Sequence, residues 1–219
     1  SGVLPIALGE ATKTIPYIQD ALKTYEFTIK WGSQTSTDDL EGDIIHQSDM
    51  FPSQDDVAAL LPSYTGDIEQ VPPQFSAIKI DGERAYDIAR CGEQVDIPPR
   101  PVYIETLEIL SHNDQQTSFK MVCGKGTYVR SIARDMGQDL GCFGHICALK
   151  RTQVGCFSLE NTISLDIFKE MDDNTATDGF LLPVEASLDD IPALSVTQQE
   201  ASQLKNGQSL AFVSRSDAE

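Results

Sequence analysis

Apolar and polar residues alternate between positions 24 and 31: Tyr25, Phe27, Ile29 and Trp31 fall on one side, and Thr24, Glu26, Thr28 and Lys30 on the other. A period of two over eight residues predicts a half-buried strand. Further along, Val129, Ile132, Ala133, Met136 and Leu140 recur at i, i+3, i+4, i+7 and i+11, and Gly141 follows. That spacing predicts an amphipathic helix closed by glycine. Ser53 precedes Asp55, Asp56 and the apolar set Val57, Ala58, Leu60 and Leu61. A capping serine and an acidic first turn predict a short helix there.

The remaining elements are read from punctuation. Gly32 to Gly42 reads as a polar loop, Val71-Pro72-Pro73 breaks regular structure, and Asp81-Gly82 signals a hairpin turn. Arg84 to Arg90 reads as a short helix ended by Gly92, and Pro98, Pro99 and Pro101 lead into a strand over 102–110. Strands are expected over 118–123 and within 145–157, with short helices over Leu165–Glu170 and from a Thr197 cap to Leu204. Strands and helices in irregular order, with hairpin signals, predict an α+β sheet domain rather than a doubly wound one.

The 219 residues are 40% apolar, enough for a sizeable core, and no apolar run approaches the roughly 18 residues of a membrane span. Five cysteines without framework spacing fit the reduced thiols of a cytoplasmic protein. Cys142, His145 and Cys147 lack a second pair at zinc spacing, so buried packing is expected and no metal. The net charge of −18 argues against a nucleic-acid partner at first sight. Yet residues 79–151 hold ten basic and ten acidic residues, so the whole acidic surplus lies elsewhere. Charge alone leaves the question open. The chain opens on Ser1-Gly2 without a methionine, which reads as a fragment.

Candidate chemistry gathers at Cys123-Gly124-Lys125-Gly126-Thr127-Tyr128-Val129-Arg130. Thr127 is the natural N-cap, which puts Arg130 at the third helical position, where a cation opposes the helix dipole. Lys125 adds to that positive end, which could hold a phosphate or a carboxylate. The alternative is a solvated surface arginine. Tyr25 and Tyr128 read as core residues, or as base-stacking platforms if their rings face a cleft.

Several blocks in order give the chain a family resemblance. They are Ser1-Gly2-Val3-Leu4-Pro5 through Gly9-Glu10-Ala11-Thr12-Lys13, and Gly66-Asp67-Ile68-Glu69-Gln70-Val71-Pro72-Pro73-Gln74-Phe75-Ser76-Ala77-Ile78-Lys79. Gly82-Glu83-Arg84-Ala85-Tyr86 to Arg90, Lys125-Gly126-Thr127-Tyr128-Val129-Arg130, Leu140-Gly141-Cys142 and Leu149-Lys150-Arg151-Thr152 follow. Together these make residues 1–157 resemble the bacterial tRNA pseudouridine-55 synthases, which isomerise a T-loop uridine. Gly124 stands where that family usually has serine, and Phe75 where tyrosine is common.

The resemblance implies a mixed, mainly antiparallel sheet flanked by helices over residues 1–188, with an RNA-gripping insertion at 72–100. Residues 189–219 would begin a small PUA-type RNA-binding β domain, truncated in this chain. Tyr25 would stack on a base flipped out of the loop, Tyr128 would sit beside it and assist proton removal, and Leu149 would line the pocket. Arg130 would pair with the nucleophilic aspartate of a Gly-x-Leu-Asp-Pro run, which falls upstream of Ser1, so the 219 residues alone are expected to be inactive. Asp38 and Asp39 match an acidic family loop and carry no expected role beyond solvation. Lys79, Arg84, Arg90, Arg100, Lys125, Lys150 and Arg151 would contact RNA, with Lys150 and Arg151 on opposite faces of their strand. The implied partner is the tRNA T stem-loop, without cofactor, metal, guide RNA or membrane, on a cytoplasmic monomer. A non-catalytic tRNA-binding or folding module is the alternative.

Overall fold

The computed structural model describes residues 1–80, 82–91, 95–170, 180–189 and 191–211. The alternating run forms β1 (Lys23–Trp31), the centre of a six-stranded sheet. Its other members are β4 (Gly66–Gln70), β7 (Arg100–Asn113), β8 (Gln116–Cys123), β9 (Gly144–Val154) and β10 (Phe157–Ser158). The order is β10-β9-β1-β8-β7-β4, and every neighbouring pair is antiparallel.

Strand parity sorts the two faces. On one, Phe27 lies opposite Phe119 and Leu149, and the Phe27 and Phe119 rings stack with centroids 5.3 Å apart. Ile29, Trp31, Met121, Ile104 and Leu107 continue this buried face. On the other, Lys150, Glu26, Lys120 and Glu108 lie side by side across β9, β1, β8 and β7, a row of alternating sign.

The amphipathic segment forms α4 (Val129–Asp139), which lays Ile132, Ala133 and Met136 on the buried face. It approaches the sheet closely at Gly137, where an added Cβ would stand 2.3 Å from the Gly144 nitrogen. Gly141, at φ +67°, ends the helix, and the N–H groups of Cys142 and Phe143 both donate to the Gly137 carbonyl. The helix α2 (Gln54–Leu60) starts at Ser53 with a reciprocal capping box to Asp56, and its Val57 joins the core.

Shorter elements complete the body. The N-terminal residues run beside β9: Val3 N–H donates to the Arg151 carbonyl at 2.8 Å, and Arg151 N–H to the Ser1 carbonyl at 3.1 Å. The helix α1 (Ile15–Asp20) precedes β1. The expected polar loop after β1 is partly a hairpin, because β2 (Ser33–Thr35) pairs with β3 (Ile44–Gln47). Three residues are too few to show a period. The hairpin β5 (Lys79–Ile80) and β6 (Glu83–Arg84) and the helix α3 (Ala85–Arg90) lie in the segment after the prolines, while Asp81 and Gly92 fall outside the described residues. The helices α5 (Leu165–Glu170) and α6 (Gln198–Lys205) follow where they were expected.

Candidate active site

The site is built at the entrance of α4. Thr127 does not cap it: its hydroxyl turns back to donate to the Gly124 carbonyl at 3.3 Å. The N-cap is Tyr128, in extended conformation and with no side-chain cap bond, so Arg130 is the second helical residue rather than the third. The cap is supplied instead by Gln70, at the end of β4. Tyr128 N–H donates to Gln70 Oε1 at 2.7 Å, and Gln70 Nε2 donates to the Tyr128 carbonyl at 3.1 Å.

Arg130 does not lie out in solvent. Its Nη1 donates to the Thr37 carbonyl at 3.2 Å and to Asp39 Oδ2 at 3.3 Å, and its Nη2 to the Phe75 carbonyl at 2.8 Å. Both side chains of the Arg130–Asp39 pair are about one-quarter exposed, so the pair is only partly screened. One carboxylate that faces the cationic helix start thus lies within this chain, on a loop given no role from sequence beyond solvation. The other oxygen, Asp39 Oδ1, accepts from Thr37 Oγ1 at 2.5 Å and from Glu41 N–H at 3.0 Å, a turn that holds the carboxylate independently of the arginine.

One turn later, Arg134 repeats the pattern. Its Nη2 donates to the Val71 carbonyl at 2.7 Å, its Nε to Asp135 at 2.7 Å, and its Nη1 stands 3.7 Å from Asp38. Ser131 Oγ donates to the same Val71 carbonyl at 2.8 Å. Asp38 sits at φ +60°, a conformation that aspartate tolerates better than most side chains. Its carbonyl accepts from Ile146 N–H of β9, and its carboxylate from Gln34. Burial pushes the Asp38 carboxyl up to about 6, against the opposing pull of Arg134 and Gln34.

Tyr25 and Leu149 lie on β1 and β9. Tyr25 is half-buried against the core and opposite Arg151, whose guanidinium stands beside its hydroxyl. Burial raises the Tyr25 hydroxyl above its usual range, and Arg151 opposes that rise. Leu149 is 36% exposed, and its carbonyl accepts from the Ser1 amino group at 3.1 Å. Arg151 Nε bonds the Val3 carbonyl at 2.8 Å, so the start of the chain, Leu149, Arg151 and Tyr25 form one neighbourhood.

The basic residues expected at RNA divide. Lys79, Arg84, Arg90 and Arg100 are exposed on and around the 72–100 segment, with Arg90 stacked 4.6 Å over the Tyr86 ring. Lys125 is exposed and paired with Asp20 at 2.6 Å. Lys150 stands opposite Glu26 in the charged row, on the face away from Tyr25 and Arg151. His145 and Cys142 are buried, and His145 Nδ1 bonds the Ser33 carbonyl region at 2.9 Å. Among the described residues no group of three or more His, Cys, Asp or Glu is placed to hold a metal, and no helix is long and apolar enough to cross a membrane.

The family model of the TruB pseudouridylate synthases, N-terminal domain, matches residues 1–129. The chain belongs to this family. A second model, the tRNA pseudouridylate synthase B C-terminal domain, matches residues 130–189. The two TruB segments thus meet inside the site, with Tyr128 in the first and Arg130 in the second. A relative named tRNA pseudouridine synthase B from Nitrobacter winogradskyi is 52% identical, over 98% of this chain and 62% of its own length. Another of that name, from Dinoroseobacter shibae, is 50% identical over 100% of this chain and 72% of its own. The chain therefore spans between 62% and 72% of the length of these two curated relatives. A solved Cbf5–Nop10–Gar1 complex superposes with a TM-score of 0.68 over 94% of this chain and 55% of that one, at 23% identity, a likeness of fold.

Proposed function

We propose that the protein to which this chain belongs isomerises a uridine in the T loop of tRNA to pseudouridine. The reading is carried by one observation: in a TruB-family chain, the Arg130 guanidinium is held at the helix entrance by Asp39, Thr37 and Phe75, two residues from Tyr128. In the reaction the bond between ribose C1′ and uracil N1 breaks, the base turns, and C5 bonds to C1′. The C5 proton leaves and N1 gains one, so the product is an isomer and no redox or group-transfer cofactor is called for.

The target uridine is flipped into a pocket where Tyr25 stacks on the base, Tyr128 lies beside it and Leu149 supplies apolar wall. An aspartate from the residues preceding Ser1 acts as nucleophile, and Arg130 orients it and keeps it ionised. Ser1 lies against Leu149 and Arg151, and three extended residues span about 10 Å. An acid just upstream is therefore within reach of Tyr25. Lys79, Arg84, Arg90, Arg100, Lys125 and Arg151 meet the RNA backbone, the first four from the 72–100 insertion. Residues 189–219 open an RNA-binding domain. The protein works as a cytoplasmic monomer without guide RNA.

The test uses the full-length protein and a T stem-loop RNA carrying tritium at uridine C5, scored by tritium release. Arg130→Ala should lower turnover by about a hundredfold or more and change RNA affinity by less than about threefold. Equal losses in both would make Arg130 a phosphate contact. Tight binding by the unaltered protein with no tritium release would make it a tRNA-binding module instead.

A further inference from the structure

Gln70 is only 2% exposed, and its carboxamide spends both of its polar atoms on a single residue, Tyr128. Oxygen accepts from the Tyr128 N–H at 2.7 Å while nitrogen donates to the Tyr128 carbonyl at 3.1 Å. This is how a neighbouring antiparallel strand would hold a residue, reproduced by one side chain. Turning the amide over would oppose donor to donor and acceptor to acceptor, so only one orientation satisfies both bonds. Two bonds to one residue fix both its rotation and its plane.

Among the described residues no other side chain caps the helix entrance. Tyr128 has no side-chain cap bond, and Thr127 has turned its hydroxyl to Gly124. The Tyr128 carbonyl that Gln70 holds also accepts Ile132 N–H at 3.2 Å, the first helical bond of α4. Tyr128 adopts φ −105° and ψ 112°, extended values that the helix following it does not impose. The direction of the Tyr128 side chain is thus tied to a residue at the far edge of the sheet, 58 positions earlier in the chain. The next residues reinforce the junction, with Ser131 and Arg134 on the Val71 carbonyl and Arg130 on that of Phe75.

We infer that Gln70 is a positioning residue for the isomerisation: it sets the backbone of Tyr128, and through it the aim of the Tyr128 ring at the reacting base. The inference deepens the isomerase reading and rests on it. Both polar atoms of Gln70 are taken by Tyr128, and the side chain borders a cavity of about 320 Å³ that Tyr64, Ile132, Asp135 and Asp139 also line. Gln70→Met removes both bonds at nearly constant volume. Gln70→Glu keeps an acceptor for the Tyr128 N–H and loses the donor, so it retains half of the clamp.

In the full-length protein Gln70→Met should lower turnover by about tenfold or more while T stem-loop affinity stays within about twofold, with Gln70→Glu in between. Turnover within about twofold of wild type, or a loss matched by the fraction unfolded or by the loss of affinity, overturns the inference. A second readout does not depend on activity. The ring-proton NMR signal of Tyr128, assigned through Tyr128→Phe, should be single in the wild type and split or broadened when Gln70 is replaced. An unchanged signal in both variants also overturns it, and Gln70→Glu carries both measurements if Gln70→Met does not fold. Absence of turnover by the wild type would defeat the isomerase reading, while the Tyr128 signal would still decide what Gln70 does.

Discussion

Asp38 is a buried carboxylate whose environment works against its charge, and the consequence for stability has a definite sign. Its pKa rises from 3.8 to about 6 because burial outweighs the help of Arg134 and Gln34. A carboxyl with a higher pKa in the folded state binds its proton more tightly there than when unfolded. Folding stability from this group is therefore fully present below about pH 4, declines as pH rises, and reaches its floor above about pH 6. A rise from 3.8 to about 6, at about 1.4 kcal/mol per tenfold change in proton affinity, sets the loss at about 3 kcal/mol. Asp38→Asn removes the charge, can still accept from Gln34, and suits the φ of +60°. It gives up the 3.7 Å pair with Arg134, which keeps Asp135 and the Val71 carbonyl. Urea unfolding of both proteins at about pH 4.5 and about pH 7.5 tests this, because groups that do not face Asp38 titrate alike in the two and cancel in the difference. The variant should gain on the wild type by about 2 kcal/mol between the two pH values. A difference that does not move with pH would show that the Arg134 pair offsets burial, and a variant that falls further behind at the higher pH that the pair outweighs it.

Gly137→Ala would drive a methyl into backbone, 2.3 Å from the Gly144 nitrogen and 2.5 Å from the Phe143 carbonyl carbon, with no side-chain rotation to relieve it. Chemical denaturation should show a loss of about 3 kcal/mol or more, and an unchanged midpoint would mean that α4 can lift from β9 freely. The 219 residues alone, freed of full-length protein, should release no tritium from T-loop RNA, since the proposed nucleophile precedes Ser1. Release at a measurable rate would place the nucleophile within the chain.

Much of the architecture was legible from local pattern. The alternation at 24–31 and the helical spacing from Val129 to Leu140 each report burial on one face, and burial is what orders β1 and α4. Ser53 announced α2 because a cap acts within four residues of chain. Lys150 and Arg151 separated to opposite faces by strand parity alone. The site was legible in its residues and not in its wiring. A cation at the helix start pointed to an anion, but Asp39 lies 91 positions away and nothing local marks it as the partner. The Thr127 cap failed for a related reason: Gln70, 58 positions earlier, occupies the entrance, so the threonine hydroxyl serves its own turn. Val3 is buried beside β9 although no period marks it, because its pairing is with Arg151.

The three acceptors that hold Arg130 come from two loops, 91–93 and 55 positions away, and the Tyr128 clamp comes from a third stretch of chain. Each connection closes a long span of polypeptide before it returns any bond energy, so such contacts form slowly and gain little until the sheet already exists. The setting of Arg130 and Tyr128 is thus a late product of folding: a nascent chain that has made α4 but not yet docked the Thr37 and Phe75 loops carries its arginine untethered.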